Sequence, residues 1–364
     1  MASSTAAPVT EKDQIILYHY PFSPYARRIT WYLRLRQIPY LECIQPPILP
    51  RPDLSLLGIS YRRIPLLSHN SSVYLDTRLI LSHLERSPSL ASVCPPLSAS
   101  APAATPEAQA VQSLLSTLTT QTDLFFSAAA LLPPSLPLMK NKQFLKDRAD
   151  FFPSPSDNDA RSVAGLTLKR AEALSAVRDA IRLLETTILS DGRRWVLKTE
   201  KPSLGDVEGI WPFHWLLSEK SGIKGAIYDD EVVNETKYPR VFGWVRRFEE
   251  FLGGLDDTAV GRVKGEEGRD IILAATAGRV GGGEGEYKGN VDGGEPVVKA
   301  LGLKRGHEVE VWPTDSGSNH RDRGVLVGLD EREVVWVSEK GVRVHAPRRG
   351  FRVTRVGGGN EGKL

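Results

Sequence analysis

Cysteine is almost missing from this sequence. Cys43 and Cys94 are the only two among 364 residues, too few for a disulfide framework and in keeping with a reducing compartment. Histidine is sparse as well: the seven are scattered, with no spacing of metal-ligand type. No apolar run comes near the roughly 18 residues that a membrane-spanning helix needs. The opening segment, MASSTAAPVTEKD, has neither a basic stretch nor an apolar core, so it is not expected to act as a secretory signal. Excess charge is absent too. Forty-seven basic residues meet 44 acidic ones, a net charge of +3, which offers nucleic acid no footprint. Internal repeats are lacking. What remains is the expectation of a soluble cytoplasmic protein with no metal, no nucleic-acid partner and no membrane partner.

The length suits two domains or three. After a small, polar start (residues 1–13), Ile15-Ile16-Leu17-Tyr18 reads as a buried strand, HYPFSP as a loop, and Tyr25 onward as a helix with Ile29, Tyr32 and Leu33 on one face. Tyr40 to Ile44 is a second strand. Strand, helix, strand at this spacing predicts a parallel pair. The proline-rich segment 45–60 has room for little more than a short helix. Tyr61 to Glu85 then reads as strand, turn, strand, helix: Ile64-Pro65-Leu66-Leu67, a turn at 69–72, Val73-Tyr74-Leu75, and a helix entered through the capping residues Asp76 and Thr77. Pro65 is out of place inside a strand-like run. A cis Ile64-Pro65 bond would let Ile64 turn its backbone groups toward an extended peptide across an open cleft. A proline-started strand and an ordinary helix cap are the plainer alternative.

Residues 87–104 turn to Ser, Pro and Ala, as a linker does. Residues 105–256 are helical in pattern, with the sharpest local signal at Pro202-Ser203-Leu204-Gly205-Asp206-Val207, the spacing of a capping box and staple. Trp211, Trp215 and Trp244 are expected in the core. Residues 257–295 read as a short helix and a glycine-rich connection. Residues 296–356 read as short strands at 309–311, 324–329, 333–337, 342–345 and 351–356, a small antiparallel β module that should separate from the rest. Residues 357–364 are left as a tail.

Taken together, residues 15–252 resemble the cytosolic glutathione transferase superfamily: an α/β thioredoxin-like domain (14–86) followed by an all-α helical bundle. The resemblance rests on YHYPFSPYARR (Tyr18 to Arg28), on Arg63-Ile64-Pro65, on Asp76-Thr77 where the family has Glu-Ser or Gln-Ser, on Pro202 to Val207, and on Tyr238-Pro239-Arg240. With Val311-Trp312-Pro313-Thr314-Asp315 in its tail, the chain looks like fungal members that carry an extra C-terminal β module.

The resemblance implies glutathione as co-substrate, a small hydrophobic electrophile as partner, and a homodimer as one available assembly. A free thiol near pKa 8.5 needs help to ionise at neutral pH. Ser23, just before a helix start, is the leading hydroxyl for that role, with Tyr18 and Tyr20 as rivals. By the same resemblance Ile64, beside Pro65, meets the cysteinyl backbone, Asp76 the γ-glutamyl amine, Thr77 and its helix end the carboxylate, and Arg63, with Arg62, the glycyl carboxylate. Arg27 and Arg28 are expected to be structural or interfacial rather than catalytic, Ser203 and Asp206 to serve folding, and Cys43 and Cys94 to be poor nucleophiles. A non-catalytic binding or assembly module is the alternative function.

Overall fold

A computed structural model describes residues 13–98, 103–151, 163–221, 223, 231–277 and 289–357. Along them the expected β-α-β run is present: β1 (Ile15–His19), α1 (Pro24–Leu35) and β2 (Tyr40–Ile44), with β1 and β2 parallel. β1 is buried at every position, as an uninterrupted apolar run requires of a central strand. α2 (Pro52–Ser55) is one turn within the proline-rich segment. β3 (Leu66–His69) and β4 (Ser72–Leu75) make the predicted hairpin, β3 lies antiparallel to β1, and α3 (Thr77–Arg86) follows.

The helical region comprises α4 (Pro88–Val93), α5 (Pro106–Thr120), α6 (Leu124–Ala130), α7 (Pro137–Lys140), α8 (Lys142–Arg148), α9 (Val163–Thr186), α10 (Leu204–Leu217) and α11 (Pro239–Gly253). Thr105 caps α5 by accepting the Ala108 amide at 3.2 Å. α10 is apolar on all sides and nearly all of it is buried, Trp211 and Phe213 completely, which is how a helix without a polar face is accommodated. Trp244 of α11 is fully buried as well, while Trp215 is half-buried. α4 falls where only a linker was expected.

Six more strands and two helices complete the described residues: β5 (Ala259–Arg262), α12 (Gly265–Thr276), α13 (Pro296–Leu301), β6 (Glu308–Pro313), β7 (Asp322–Leu329), β8 (Glu333–Ser338), β9 (Arg343–Pro347) and β10 (Phe351–Arg355). All five tail strands read from the sequence are present. They do not stand apart. β9 pairs in parallel with β4, Val73 opposite Val344, and β5 adds to β2, giving one ten-stranded sheet in the order β10-β6-β7-β8-β9-β4-β3-β1-β2-β5. A hairpin edge leaves backbone N–H and C=O groups unpaired, and β9 satisfies them. Arg343 pins the register by donating to Ser72 at 2.8 Å and Ser71 at 2.7 Å.

The chain divides into two compact units. One takes in the described residues to Ala26, Pro39–Leu84 and those from Thr258 on; the other takes in Arg27–Ile38 and Glu85–Asp257. In the first, a single apolar cluster holds Ile16, Tyr18, Ile64, Leu66, Val73 and Leu75 together with Val309, Val311, Leu326, Trp336, Val344 and Phe351. Asp322, 2 % exposed, accepts the amides of Ser60 and Tyr61, and burial pushes its carboxyl up to about 7 against those donors. In the second, the Arg28 guanidinium is fully buried and pairs with Glu208 of α10, so Arg28 is structural. The expected unstructured start and tail lie outside the described residues except at Asp13 and Gly357. The glycine-rich connection lies outside them up to residue 288.

Candidate functional site

Ser23 immediately precedes α1. Its amide donates to the Tyr20 carbonyl at 3.1 Å and its hydroxyl oxygen accepts the Ala26 amide at 3.2 Å, the geometry of a helix N-cap. Accepting leaves the hydroxyl proton available for donation, although the side chain is only 2 % exposed. Tyr20 is half-buried, its ring 4.7 Å from that of Phe22. Tyr18 is placed differently. It lies in the middle of β1, fully buried, and its hydroxyl has no hydrogen-bond partner among the described residues. Burial, with Cys43 and Asp53 adding negative charge nearby, pushes its phenol well above the usual range. α12 passes close over it at Gly268, where a Cβ would fall 2.7 Å from the hydroxyl. A phenol so enclosed is not presented to a ligand. Tyr18→Phe should therefore leave stability unchanged or raise it by about 1 kcal/mol, since an unsatisfied buried hydroxyl costs about 1–3 kcal/mol. A melting comparison checks this.

The Ile64-Pro65 bond is cis, and so is Leu49-Pro50, which the sequence did not flag. Ile64 itself belongs to the apolar core at 8 % exposure, contrary to the expectation that it faces an open cleft. β3 begins at Leu66, which leaves the Ile64 main chain outside the strand ladder.

Asp76 and Thr77 start α3 as expected. Asp76 sits at φ +66°, and its carboxylate accepts the Arg78 amide at 2.9 Å, Arg78 Nε at 2.9 Å and Arg78 Nη2 at 2.8 Å. Burial opposes the charge, but Arg78 prevails and holds the carboxyl down at about 2, so Asp76 is anionic at neutral pH. Thr77 is 5 % exposed at the helix N-terminus. Arg63 was expected to meet a ligand carboxylate and instead meets one from its own chain. Its guanidinium pairs with Asp315, and Nε donates to the Ser316 carbonyl at 3.0 Å. Arg62 is buried under the same turn, where a Cβ on Gly317 (φ +75°) would fall 2.9 Å from Arg62 Cγ. Arg63, Asp76, Arg78 and Asp315 thus form one charged group around the buried, neutral Tyr61, whose phenol burial pushes well above its usual range. Among the described residues Ser23 bonds to Ala26 and Tyr20 and not to this group.

Sequence reasoning missed Arg78 and Asp315. Arg78 was findable, being two positions beyond a capping aspartate. Asp315 was not: 252 residues separate it from Arg63. Cys43 is inert, since burial and then the Asp53 charge push its thiol up to about 12, and burial raises Cys94 as well. Among the described residues, no group of three or more side chains comes together that could hold a metal ion. Nor is any helix there long and apolar enough to cross a membrane.

Residues 17–92 match the family described as glutathione S-transferase, N-terminal domain. Over that segment the chain is similar to the N-terminal domain of glutathione S-transferases. Residues 127–254 match a domain of unknown function (DUF7962). A GST-like protein from Pseudomonas syringae aligns over 94 % of this chain and 99 % of its own, at 20 % identity and a TM-score of 0.58. The fold is thus shared along most of the chain's length. More distant are a Tau class glutathione S-transferase from mango (Mangifera indica), with 16 % identity, TM-score 0.43 and 73 % of this chain against 97 % of that one, and a rice GST in complex with glutathione, with 18 % identity, TM-score 0.45 and 73 % against 98 %. No curated protein matches the chain.

Proposed function

We propose that this chain binds glutathione on its thioredoxin-like domain and activates the thiol for attack on a hydrophobic electrophile. The observation that carries the reading is the family match over 17–92, within which the hydroxyl, the cis-proline step and the acid at a helix start all occur. In this reading the Ile64 main chain pairs with the cysteinyl part, the ionised Asp76 takes the γ-glutamyl ammonium, Thr77 and the α3 N-terminus take its carboxylate, and Arg63 takes the glycyl carboxylate. The Ser23 hydroxyl donates to the sulfur and stabilises the thiolate. The proton leaves to solvent, the S–C bond forms, and the leaving group departs with its bonding pair. Serine forms no mixed disulfide, so conjugation, isomerisation or peroxide reduction is favoured over thiol transfer. A cytoplasmic setting and a homodimer are compatible with this reading.

Removing one hydrogen bond to a charged group costs about 1.5–3 kcal/mol, so Ser23→Ala should cut turnover with an aromatic electrophile roughly ten- to hundredfold. Glutathione affinity should barely change, and the pH–rate profile should move to higher pH as the bound thiol's pKa rises. Full activity in Ser23→Ala with loss in Tyr20→Phe would move the role to Tyr20. The second reading, a non-catalytic binding or assembly module, is favoured by the internal partners already on Arg63 and Asp76. Retention on immobilised glutathione with elution by free glutathione, but no turnover in the wild type, would select it.

A further inference from the structure

We infer that Asp315 is a specificity-determining residue of this site: its carboxylate holds the Arg63 position that a ligand carboxylate would take, so a ligand must displace it. The inference rests on the glutathione reading given above. Two contacts from the C-terminal strands converge on the site's arginines. The turn after β6 places the Asp315 carboxylate and the Ser316 carbonyl on Arg63. The turn between β9 and β10 brings Gly350 (φ +84°) against Arg78, where a Cβ would lie 3.2 Å from Nη2. These are the partners a small peptide with a free carboxylate would offer: an anionic oxygen and a main-chain carbonyl. The occupant is displaceable. Asp315 is 58 % exposed and Arg63 only 19 %, so the carboxylate can swing into water while the guanidinium stays in place. Binding of a carboxylate ligand is then an exchange of one anion for another, which nearly cancels. A ligand whose glycyl carboxylate is esterified has nothing to exchange and binds with Asp315 in place.

The test is calorimetric titration of glutathione and of its glycyl monoethyl ester into wild type and Asp315→Asn. An ion pair with one partner largely in water contributes about 0.2–1 kcal/mol, so Asp315→Asn should strengthen glutathione binding about 1.4- to fivefold and leave the ester unchanged. Binding in the variant alone supports the inference equally. Asp315→Ser gives the same comparison with no amide left to hold Arg63. Wild-type binding of glutathione with no gain in either variant overturns the inference and leaves the glutathione reading standing. An equal gain for acid and ester also overturns it, since the turn would then obstruct by bulk rather than by charge. Failure of every protein to bind either ligand removes the glutathione reading, and this inference with it.

Discussion

Asp206→Ala should destabilise the protein by about 3–5 kcal/mol, the summed effect of leaving several buried donors without an acceptor. Asp206 is fully buried at the start of α10 and is ringed by donors. Oδ2 accepts the Ser203 amide at 2.8 Å and the Ser203 hydroxyl at 2.7 Å; Oδ1 accepts the Val196 amide at 3.0 Å and the Trp244 indole N–H at 2.9 Å. Burial raises its pKa and the donors resist that rise. Alanine leaves the donors facing a space without an acceptor, and each buried orphan costs about 1–3 kcal/mol. Asparagine should fall between, because it keeps one acceptor oxygen. Ser203→Ala should lose only about 1 kcal/mol, since Asp206 still reaches the residue 203 amide. Urea denaturation of the three variants is the measurement. A loss under 1 kcal/mol for Asp206→Ala would mean that water replaces the carboxylate. Glutathione affinity of the folded protein should be unchanged, because the proposed ligand residues all lie in the thioredoxin-like domain.

The network around Asp206 shows what a sequence makes legible. Ser203 and Asp206 are three residues apart, so local geometry suffices to join them. The same holds for the β1-α1-β2 run, the hairpin, the cis proline step and the five tail strands, whose signals are propensity, periodicity and turn chemistry within some twenty residues. The bonds from Val196 and Trp244 were invisible, because they depend on where other segments of the helical unit fold. The attachment of β9 to β4 was invisible for a further reason. RVHAP carries two polar residues and a proline, weak credentials for a strand buried at four of its five positions. It earns its place through tertiary pairing with Ser72–Leu75, not through propensity. The candidate site divides in the same way. Ile64, Pro65, Asp76 and Thr77 were readable because each stands at an element's start, where residue choice is constrained. Their internal partners arrive by register, which no local pattern encodes.

Ending the chain at Ala277 should abolish cooperative folding of the thioredoxin-like unit, although the sequence alone argued for a detachable tail. β4 would become an open edge, losing the pairs Ser72–Arg343, Val73–Val344 and Tyr74–His345. The Ser60 and Tyr61 amides would lose Asp322, and the Leu57 carbonyl would lose the Ser338 hydroxyl that donates to it at 2.8 Å. Tyr61 would lose the ring of Phe351, 5.8 Å away. The larger loss is apolar. Leu57, Ile59, Tyr61, Ile64, Val73 and Leu75 share one cluster with tail residues such as Val311, Trp336, Val344 and Phe351. Baring even part of such a surface costs about 1.5–3 kcal/mol per large side chain, and four or five of them match the whole net stability of a domain, about 5–15 kcal/mol. Comparing the full chain with residues 1–277 by soluble yield and thermal melting decides the matter. Aggregation, or a broad melt without a transition, is the expected result. A soluble truncated chain with a sharp melt would instead make the β4–β9 junction a docked contact that the thioredoxin-like unit can do without.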